Sequence, residues 1–178
     1  MLFEIIIGVV VVLAILILFI TIINNKFLFA IIKIEEAENN IEVLLHKKYD
    51  LLQRCCPIII KELKLKDFLP AIGEIKMDEI SHFELSNALK NGYNEVLKTI
   101  DDNEKLLKSE SLMTIMDDLE KNDIDLTAAE KFYNDNVTVF NKLIVSFPSS
   151  IIGFVKRYKK KDFYSNEKKE MFEILNDR

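Results

Sequence analysis

The chain has 178 residues and a net charge of −5, and it contains only 4 Gly and 3 Pro. Its length fits one domain. So few turn residues exclude an all-β fold, which needs turns about every 8–12 residues, and argue against disordered linkers. The composition predicts an all-α protein made of a few long helices. The mildly acidic balance provides no overall attraction to nucleic acid, so we expect no nucleic-acid partner for the chain as a whole.

The N-terminal region contains one long apolar stretch. In residues 5–23, 17 of 19 side chains are apolar and none is charged. As a helix this stretch spans about 28 Å, close to the ~30 Å hydrocarbon core of a bilayer. No basic residue precedes it and no small-x-small cleavage site follows it, unlike in a signal peptide. We expect residues 1–25 to be a retained transmembrane anchor, with a cleaved signal peptide and a buried core helix as alternatives.

Basic residues predict the orientation of this span. No Lys or Arg precedes it, whereas Lys26 and Lys33 follow closely and Lys47 and Lys48 come after them. Positive charge collects on the cytoplasmic side of membrane helices. The chain is therefore predicted to be single-pass, with its N-terminus outside and residues 26–150 forming a cytoplasmic bundle.

An apolar stripe with 3-4 spacing continues after the span. It occupies positions 34, 37, 41, 44, 48, 51, 55, 58, 62, 65 and 69, where only Lys48 and Glu62 are polar or charged. This pattern, without an intervening turn signal, predicts one continuous helix from about Leu2 to Leu69, packed as in a coiled coil or bundle. Pro57 lacks the N–H that would bond the Gln53 carbonyl, so a kink is expected near Cys55–Pro57.

Turn and capping signals divide the rest of the chain. Pro70 and Gly73 mark the first predicted loop. Ser81-x-x-Glu84 has the spacing of a capping box, and it opens a second helix that runs to about Lys108.

The predicted order of elements then continues to the C-terminus. A short third helix covers 111–121, and 122–125 is polar and turn-like. Thr127-x-x-Glu130 opens a fourth helix that ends before Pro148. A basic and aromatic tail covers 151–178, with a short terminal helix at 166–175. The whole is an antiparallel bundle of three long helices plus a short one, whose first helix extends into the membrane.

The fourth predicted helix carries a second apolar seam, with 4-3-4-3 spacing. Its members are Tyr133, Val137, Phe140, Ile144 and Phe147, followed by Pro148. Asn134 and Asn141 lie seven residues apart on the flank of this seam, where an amide either bonds to a neighbouring helix or stays in solvent. The seam is interpreted as bundle core with register-fixing amides, or as a binding site for a ligand or partner.

A basic cluster follows this helix. It consists of Lys156, Arg157, Lys159, Lys160 and Lys161, with aromatic and aliphatic residues on both sides. Such clusters bind anionic lipid surfaces. A solvated tail, a contact with lipid or an acidic partner, and a nucleic-acid contact are the three interpretations.

Catalytic and metal-binding patterns are missing from the sequence. His46 and His82 are isolated, and the adjacent Cys55 and Cys56 point about 100° apart on a helix, so they are interpreted as two small buried or half-buried thiols. Phosphate-loop, GxSxG, HExxH and EF-hand motifs do not occur. We expect no enzymatic activity, no metal and no cofactor.

The pattern Tyr-Asn-x-x-Val-x-x-Phe-Asn-x-x-Ile-x-x-Phe-Pro at 133–148 resembles the LemA family of bacterial membrane proteins. The span with Asn25 and Leu28 is similar to the entry sequence of that family. The family's first cytoplasmic helix is matched by Ala37, Ile41, Val43, Leu44, Lys48, Asp50 and Leu51, with Lys48 at the position of the usual Arg.

This resemblance implies a single membrane helix with the N-terminus outside, and a cytoplasmic antiparallel bundle at the bacterial inner membrane. It does not imply an enzyme, and relatives in magnetosome-forming bacteria act in shaping internal membranes. We expect a non-catalytic scaffold for protein interaction or membrane organisation, with unidentified protein partners and a homo-oligomer left open. The alternative is an accessory or regulatory subunit of a membrane-embedded protease or transporter, acting through the transmembrane helix.

Overall fold

The computed structural model describes residues 1–76 and 80–164, and these residues form five α-helices. They are α1 (Leu2–Leu63), α2 (Pro70–Gly73), α3 (His82–Asp101), α4 (Glu110–Val145) and α5 (Ser149–Val155), with a 3₁₀ turn at Leu106–Lys108. The described residues contain no strand. The predicted all-α fold, with an apolar N-terminal helix continuing into a helical region, is confirmed. The predicted terminal helix at 166–175 lies outside the described residues.

The chain divides into two compact units. The first comprises Met1–Ala37 and the residues from Lys131 onward, and the second comprises Glu38–Glu130. Helices α1 and α4 each contribute to both units. The predicted division into an anchor, a bundle and a tail stays a prediction.

Burial along α1 changes at Ile23. Every residue before it is exposed, including the whole apolar stretch from residue 5 to residue 22. In the first unit a buried face then recurs every three or four residues, at Ile23, Phe27, Ala30, Ile34 and Ala37. This spacing is that of one helix face packed against protein. In the described structure the first part of α1 is therefore apolar and exposed, and the next part is a core helix.

The same face of α1 continues in the second unit. It is buried at Ile41, Leu45, Lys48, Leu52, Cys55 and Ile59. The predicted stripe is correct up to Cys55, apart from a displacement of one residue from Leu44 to Leu45. The predicted stripe assumed a period of 3.5 residues. A straight α-helix has 3.6 residues per turn, so its buried face drifts by about 20° per heptad relative to such a stripe. Glu62 and Leu65 are exposed and do not belong to it.

The end of α1 is earlier than predicted. The helix ends at Leu63 instead of Leu69, because Lys64 adopts a left-handed conformation with φ of 53°. The Leu65 N–H then donates to the Ile60 carbonyl at 3.1 Å, which satisfies one of the last carbonyls. Pro57 lies inside α1. The bend expected there stays a prediction.

The start of α3 confirms the predicted capping box. The Glu84 N–H donates to Ser81 Oγ, and the Ser81 N–H donates to Glu84 Oε2, both at 3.3 Å. The Ser81 hydroxyl also donates to Glu84 Oε2 at 2.7 Å, and this bond together with that from the Ser81 N–H lowers the pKa of Glu84. On the same helix, a Cβ at Gly92 would lie only 2.8 Å from Ile72 Cδ1, so a glycine here allows α2 to pack closely against α3. Helix α3 ends at Asp101 rather than near Lys108.

The predicted break in 122–125 is wrong, since α4 runs without interruption from Glu110 to Val145. The polar residues there have partners in α1. The Asn122 amide donates to the Leu44 carbonyl at 3.1 Å, and Lys48 forms a salt bridge with Asp123. Thr127 and Glu130 therefore lie within a helix and do not cap one. Polar side chains that pair across a bundle and those that end a helix have the same sequence pattern.

Close contacts define the helix directions within each unit. In the first unit, Phe27 of α1 packs on Phe140 of α4 at 5.8 Å, and Lys33 lies 6.0 Å from the Phe132 ring, so the two helices are antiparallel. In the second unit, Ser86 of α3 bonds Glu130 of α4 at 3.0 Å. Further along α3, Tyr93 shares Lys48 with Asp123. Helices α3 and α4 are thus antiparallel as well.

The Lys48–Asp123 pair generates a stability prediction. Lys48 is 1% exposed, so Asp123→Ala leaves a buried ammonium without its partner. We expect a loss of about 2–3 kcal/mol in the free energy of unfolding, somewhat less than for a fully buried pair because the Asp123 side chain is 42% exposed. In a Lys48→Met background, the same substitution is expected to cost under about 0.5 kcal/mol.

Denaturant titration of the full chain in detergent micelles measures both losses. Asp125→Ala is the matched control, since Asp125 is exposed on the same helix. Equal losses from Asp123→Ala in the two backgrounds would contradict the account.

Candidate functional site

The residues after α5 are held against α4 by side-chain amides. Asn141 is buried, and its Nδ2 donates to the Lys161 carbonyl while its Oδ1 accepts from the Lys161 N–H, both at 2.9 Å. A primary amide has an acceptor oxygen and a donor NH2 group. It can therefore pair with the N–H and the carbonyl of a backbone, as a neighbouring β-strand does. Asn141 therefore binds both polar groups of one backbone residue.

A second amide binds the same segment two turns away. Asn134 Oδ1 accepts from the Tyr164 N–H at 2.8 Å, and the Tyr133 hydroxyl donates to the Asp162 carbonyl at 3.1 Å. Seven helical residues rise about 10.5 Å, and three extended residues span about 10 Å. The seven-residue separation of the two asparagines thus matches residues 161 and 164 of an extended chain. The prediction left these amides bonding a neighbouring helix or solvent, and their partner is instead this extended segment.

An aromatic cluster lies at the other end of the segment. The Tyr158 ring lies 5.0 Å from Phe27 and 5.7 Å from Phe140, and Phe27 meets Phe140 edge to face. These separations are those of favourable aromatic pairs. The cluster joins α1, α4 and the segment after α5. Tyr158 is thereby placed beside the part of α1 where burial begins.

Helix α5 lies against the end of the apolar stretch of α1. A groove of about 430 Å³ separates them, lined by Ile20, Thr21, Asn24, Ile151, Ile152, Val155 and Lys156. Gly153 is buried, and a Cβ there would lie 3.5 Å from Phe27 Cζ. After α5, Arg157 adopts a left-handed conformation with φ of 57°, and the Tyr158 N–H bonds the Gly153 carbonyl at 3.0 Å. This turn ends α5 and directs the chain back along α4.

The predicted seam residues are only partly in the core. Tyr133, Asn134, Val137, Phe140 and Asn141 are buried, and Ile144 and Pro148 are half-buried. Phe147 does not belong to the seam, because α4 ends at Val145 and the Phe147 side chain is 82% exposed. The helical period no longer applies beyond the end of the helix.

The predicted basic cluster lies directly after α5. Lys156, Arg157, Lys159 and Lys160 are exposed, and Lys161 is half-buried beside Asn141. The structure thus brings the seam amides and the basic cluster together, which the sequence treated as separate features.

The second unit contains a polar cluster around Lys48. The Lys48 ammonium lies 5.1 Å from the Tyr93 ring. Burial, together with Asp123, raises the pKa of Tyr93. Burial raises the pKa of Glu130 despite the bond from Ser86. These groups are paired within the unit, so the cluster is interpreted as one that sets the register of α1, α3 and α4.

The cysteines have the buried and half-buried positions predicted for them. Cys55 is buried and Cys56 half-buried, and both are free thiols. Burial raises the pKa of Cys55 to about 12, and it raises the pKa of Cys56 as well. Thiols are nucleophilic and bind metals as thiolates, so this environment disfavours reactive chemistry at both residues.

Sequence reasoning missed Phe27, Gly153 and Tyr158 as members of this site. Phe27 was available as a signal, because it is seven residues before the stripe member Ile34. Gly153 breaks an otherwise apolar run, which indicates a close approach of another side chain. Tyr158 carries no local signal, since its partners lie far away in the chain.

These features define a class of all-α proteins: an N-terminal helix long and apolar enough to cross a membrane continues into helical units, and an extended C-terminal segment is bound along one helix. The chain belongs to the LemA family, whose sequence model matches residues 37–174. No curated protein and no solved structure gives a match. The family match begins at Ala37, so the apolar stretch of α1 lies outside it.

The paired contacts of Asn141 generate a testable prediction. Asn141→Ala leaves the Lys161 N–H and carbonyl without their partner, at a cost of about 1–3 kcal/mol in local opening. We expect faster amide hydrogen exchange at Lys161 and faster trypsin cleavage within Lys156–Lys161. Asn136→Ala is the control, because Asn136 bonds the Phe132 carbonyl of its own helix. Unchanged exchange in the Asn141 variant would exclude the proposed role of the amide.

Proposed function

We propose that this LemA-family chain is a single-pass membrane protein that acts as a non-catalytic scaffold for protein interaction or membrane organisation. Its N-terminus lies outside, and its helical units lie in the cytoplasm of a bacterial cell. The proposal rests on the placement of apolar side chains along α1, on the Lys distribution around the span, and on the family.

The exposed apolar part of α1 carries the proposal. The apolar stretch of α1 is long and apolar enough to cross a membrane, and none of it is buried in the described structure. The core helix of a soluble protein would be covered by its neighbours, so this alternative is disfavoured. A helix in lipid satisfies its backbone internally and needs no protein partner. Burial of Phe27 and Ile34 on the same unbroken helix argues for a retained segment over a cleaved signal.

The polar side chains of the described residues support a non-catalytic role. Buried polar side chains such as Lys48 and Asn141 bind other parts of the chain. His46 and His82 are exposed. A catalytic site needs polar groups that converge on an open cleft. The polar contacts here hold helices and segments in register.

The span itself distinguishes this proposal from the alternative of an accessory subunit. We expect the native chain to resist alkaline carbonate extraction, and a C-terminal tag to be digested by protease only when the cytoplasmic side is accessible. Replacing residues 5–23 with a polyleucine span of equal length keeps the anchor and removes its specific surface. A scaffold retains its crosslinked partners after this exchange.

Two results would contradict the proposal. Release of the native chain by carbonate would show that it is not integral. Loss of all partners after the polyleucine exchange, with the protein still inserted, would favour an accessory subunit that acts through the span. Replacing residues 5–23 with polyalanine is the control. It keeps the length of the segment but lowers its hydrophobicity, so insertion is expected to be impaired.

A further inference from the structure

We propose that α5 and the basic residues after it form a second membrane-contacting element, which binds the anionic surface of the bilayer beside the span. This inference rests on the proposed function, since it takes the apolar stretch of α1 as a membrane helix. The element comprises Phe147, α5 and the exposed cations Lys156, Arg157 and Lys159, and we call it the interfacial element.

The position of α5 along α1 is the first argument. Its groove partners on α1 are Ile20, Thr21 and Asn24, at the end of the uncharged stretch. Phe27, one turn further, contacts Gly153 and Tyr158. If residues 5–23 cross the bilayer, these positions lie at the boundary between hydrocarbon and headgroups. The interfacial element is thus at the depth where amphipathic helices bind membranes.

The direction of α5 is the second argument. Helix α4 is antiparallel to α1 beside Phe27, and α5 turns by 90° from α4. Helix α5 therefore crosses α1 rather than following it. A helix that crosses a membrane span at its end lies along the membrane surface, as interfacial helices do.

Exposed apolar side chains give the third argument. Phe147 is 82% exposed and Phe154 is 85% exposed, and Ile151 and Val155 are exposed as well. Ile151, Phe154 and Val155 are three and four residues apart, so they share one face of α5. The face stays exposed in the described structure, although Ile151 and Val155 border the groove beside α1. Burial in the interfacial region removes these side chains from water without requiring a second protein.

Charge and position together favour an anionic bilayer as the occupant. Lys156, Arg157 and Lys159 are exposed immediately after the apolar face. Asn141 and Tyr133 fix the chain at residues 161 and 162, so these cations are presented from a bound segment. Each basic residue near an anionic membrane surface raises affinity by about fivefold. Cations alone would also attract a second copy of this acidic chain, but the position of the apolar face beside the end of the apolar stretch of α1 favours a bilayer surface.

The absence of Trp from the sequence permits a direct test in the full-length protein. Phe154→Trp places one fluorophore on the apolar face of α5. The variant is reconstituted into vesicles of phosphatidylcholine with about 30 mol% phosphatidylglycerol, with and without brominated acyl chains. We expect a blue-shifted emission and at least about twofold stronger bromine quenching than for Phe132→Trp. Phe132 lies opposite Lys33, about 15 Å of helix beyond Ile23.

The role of the cations is tested in the same Phe154→Trp variant. Changing Lys156, Arg157 and Lys159 to Gln is expected to reduce the quenching of the fluorophore at position 154, as is the omission of phosphatidylglycerol. Changing Lys98, Lys105 and Lys108 to Gln instead is the matched control for net charge, and it is expected to leave the quenching unchanged.

Each other outcome overturns a defined part of the proposal. Equal, weak quenching at positions 154 and 132 would place α5 outside the bilayer. Quenching at position 154 that is unchanged by the Gln substitutions and by the omission of phosphatidylglycerol would show that the cations do not bind anionic headgroups. If the emission of the fluorophore at position 154 depends on the protein-to-lipid ratio and not on lipid composition, the apolar face contacts a second copy of the chain. A Leu13→Trp variant distinguishes failure of this inference from failure of the proposed function. Absence of bromine quenching at position 13 would show that residues 5–23 do not cross the bilayer.

Discussion

The apolar side chains of α1 before Ile23 remain exposed in the described structure, even where α5 borders Ile20 and Thr21, and this constraint explains the arrangement around them. A helix that is apolar on all sides is stable only where its surroundings are apolar. From Ile23 onward the same helix has one buried face and one exposed face. If α1 crosses a membrane as proposed, the point where burial begins is the point where protein replaces lipid as the surroundings of α1.

The elements next to this point are arranged around it. Helix α4 reaches Phe27 through Phe140, and it ends two residues before Phe147. Helix α5 then turns across α1, and Arg157 returns the chain to the flank of α4. Asn141 and Asn134 bind that returning segment along the helix. The amides thus determine where the basic cluster is held, and the aromatic cluster determines how close it lies to the end of the apolar stretch.

Much of this fold follows from local patterns in the sequence. The long first helix, the Ser81 capping box and the seam from Tyr133 to Phe140 were predictable because each depends on residues within a few turns of one another. The break expected at 122–125 was wrong because Asn122 and Asp123 pair with α1, and their partners lie about 75 residues away in the chain. A polar residue in a long-range pair cannot be distinguished from one in a turn without knowledge of the partner.

The candidate site was predictable as residues but not as an arrangement. Both the two asparagines and the basic cluster were recognisable in the sequence. The binding of the asparagines to the segment that carries the cluster was not predictable, because that segment is not helical and has no periodic pattern. Phe147 was assigned to the seam because its spacing continues the helical period beyond the end of α4. Its exposure shows that spacing predicts burial only while the helix continues.

We propose that α1 passes from lipid into protein at Ile23 without a break. Spin labels placed singly along residues 5–45, in a background without Cys55 and Cys56, test it most directly in reconstituted vesicles. We expect high oxygen accessibility without helical periodicity up to residue 22, followed by accessibility to a water-soluble nickel reagent with a period of about 3.6 residues. A 3.6-residue period within residues 5–22, or loss of helical periodicity between residues 23 and 34, would contradict it.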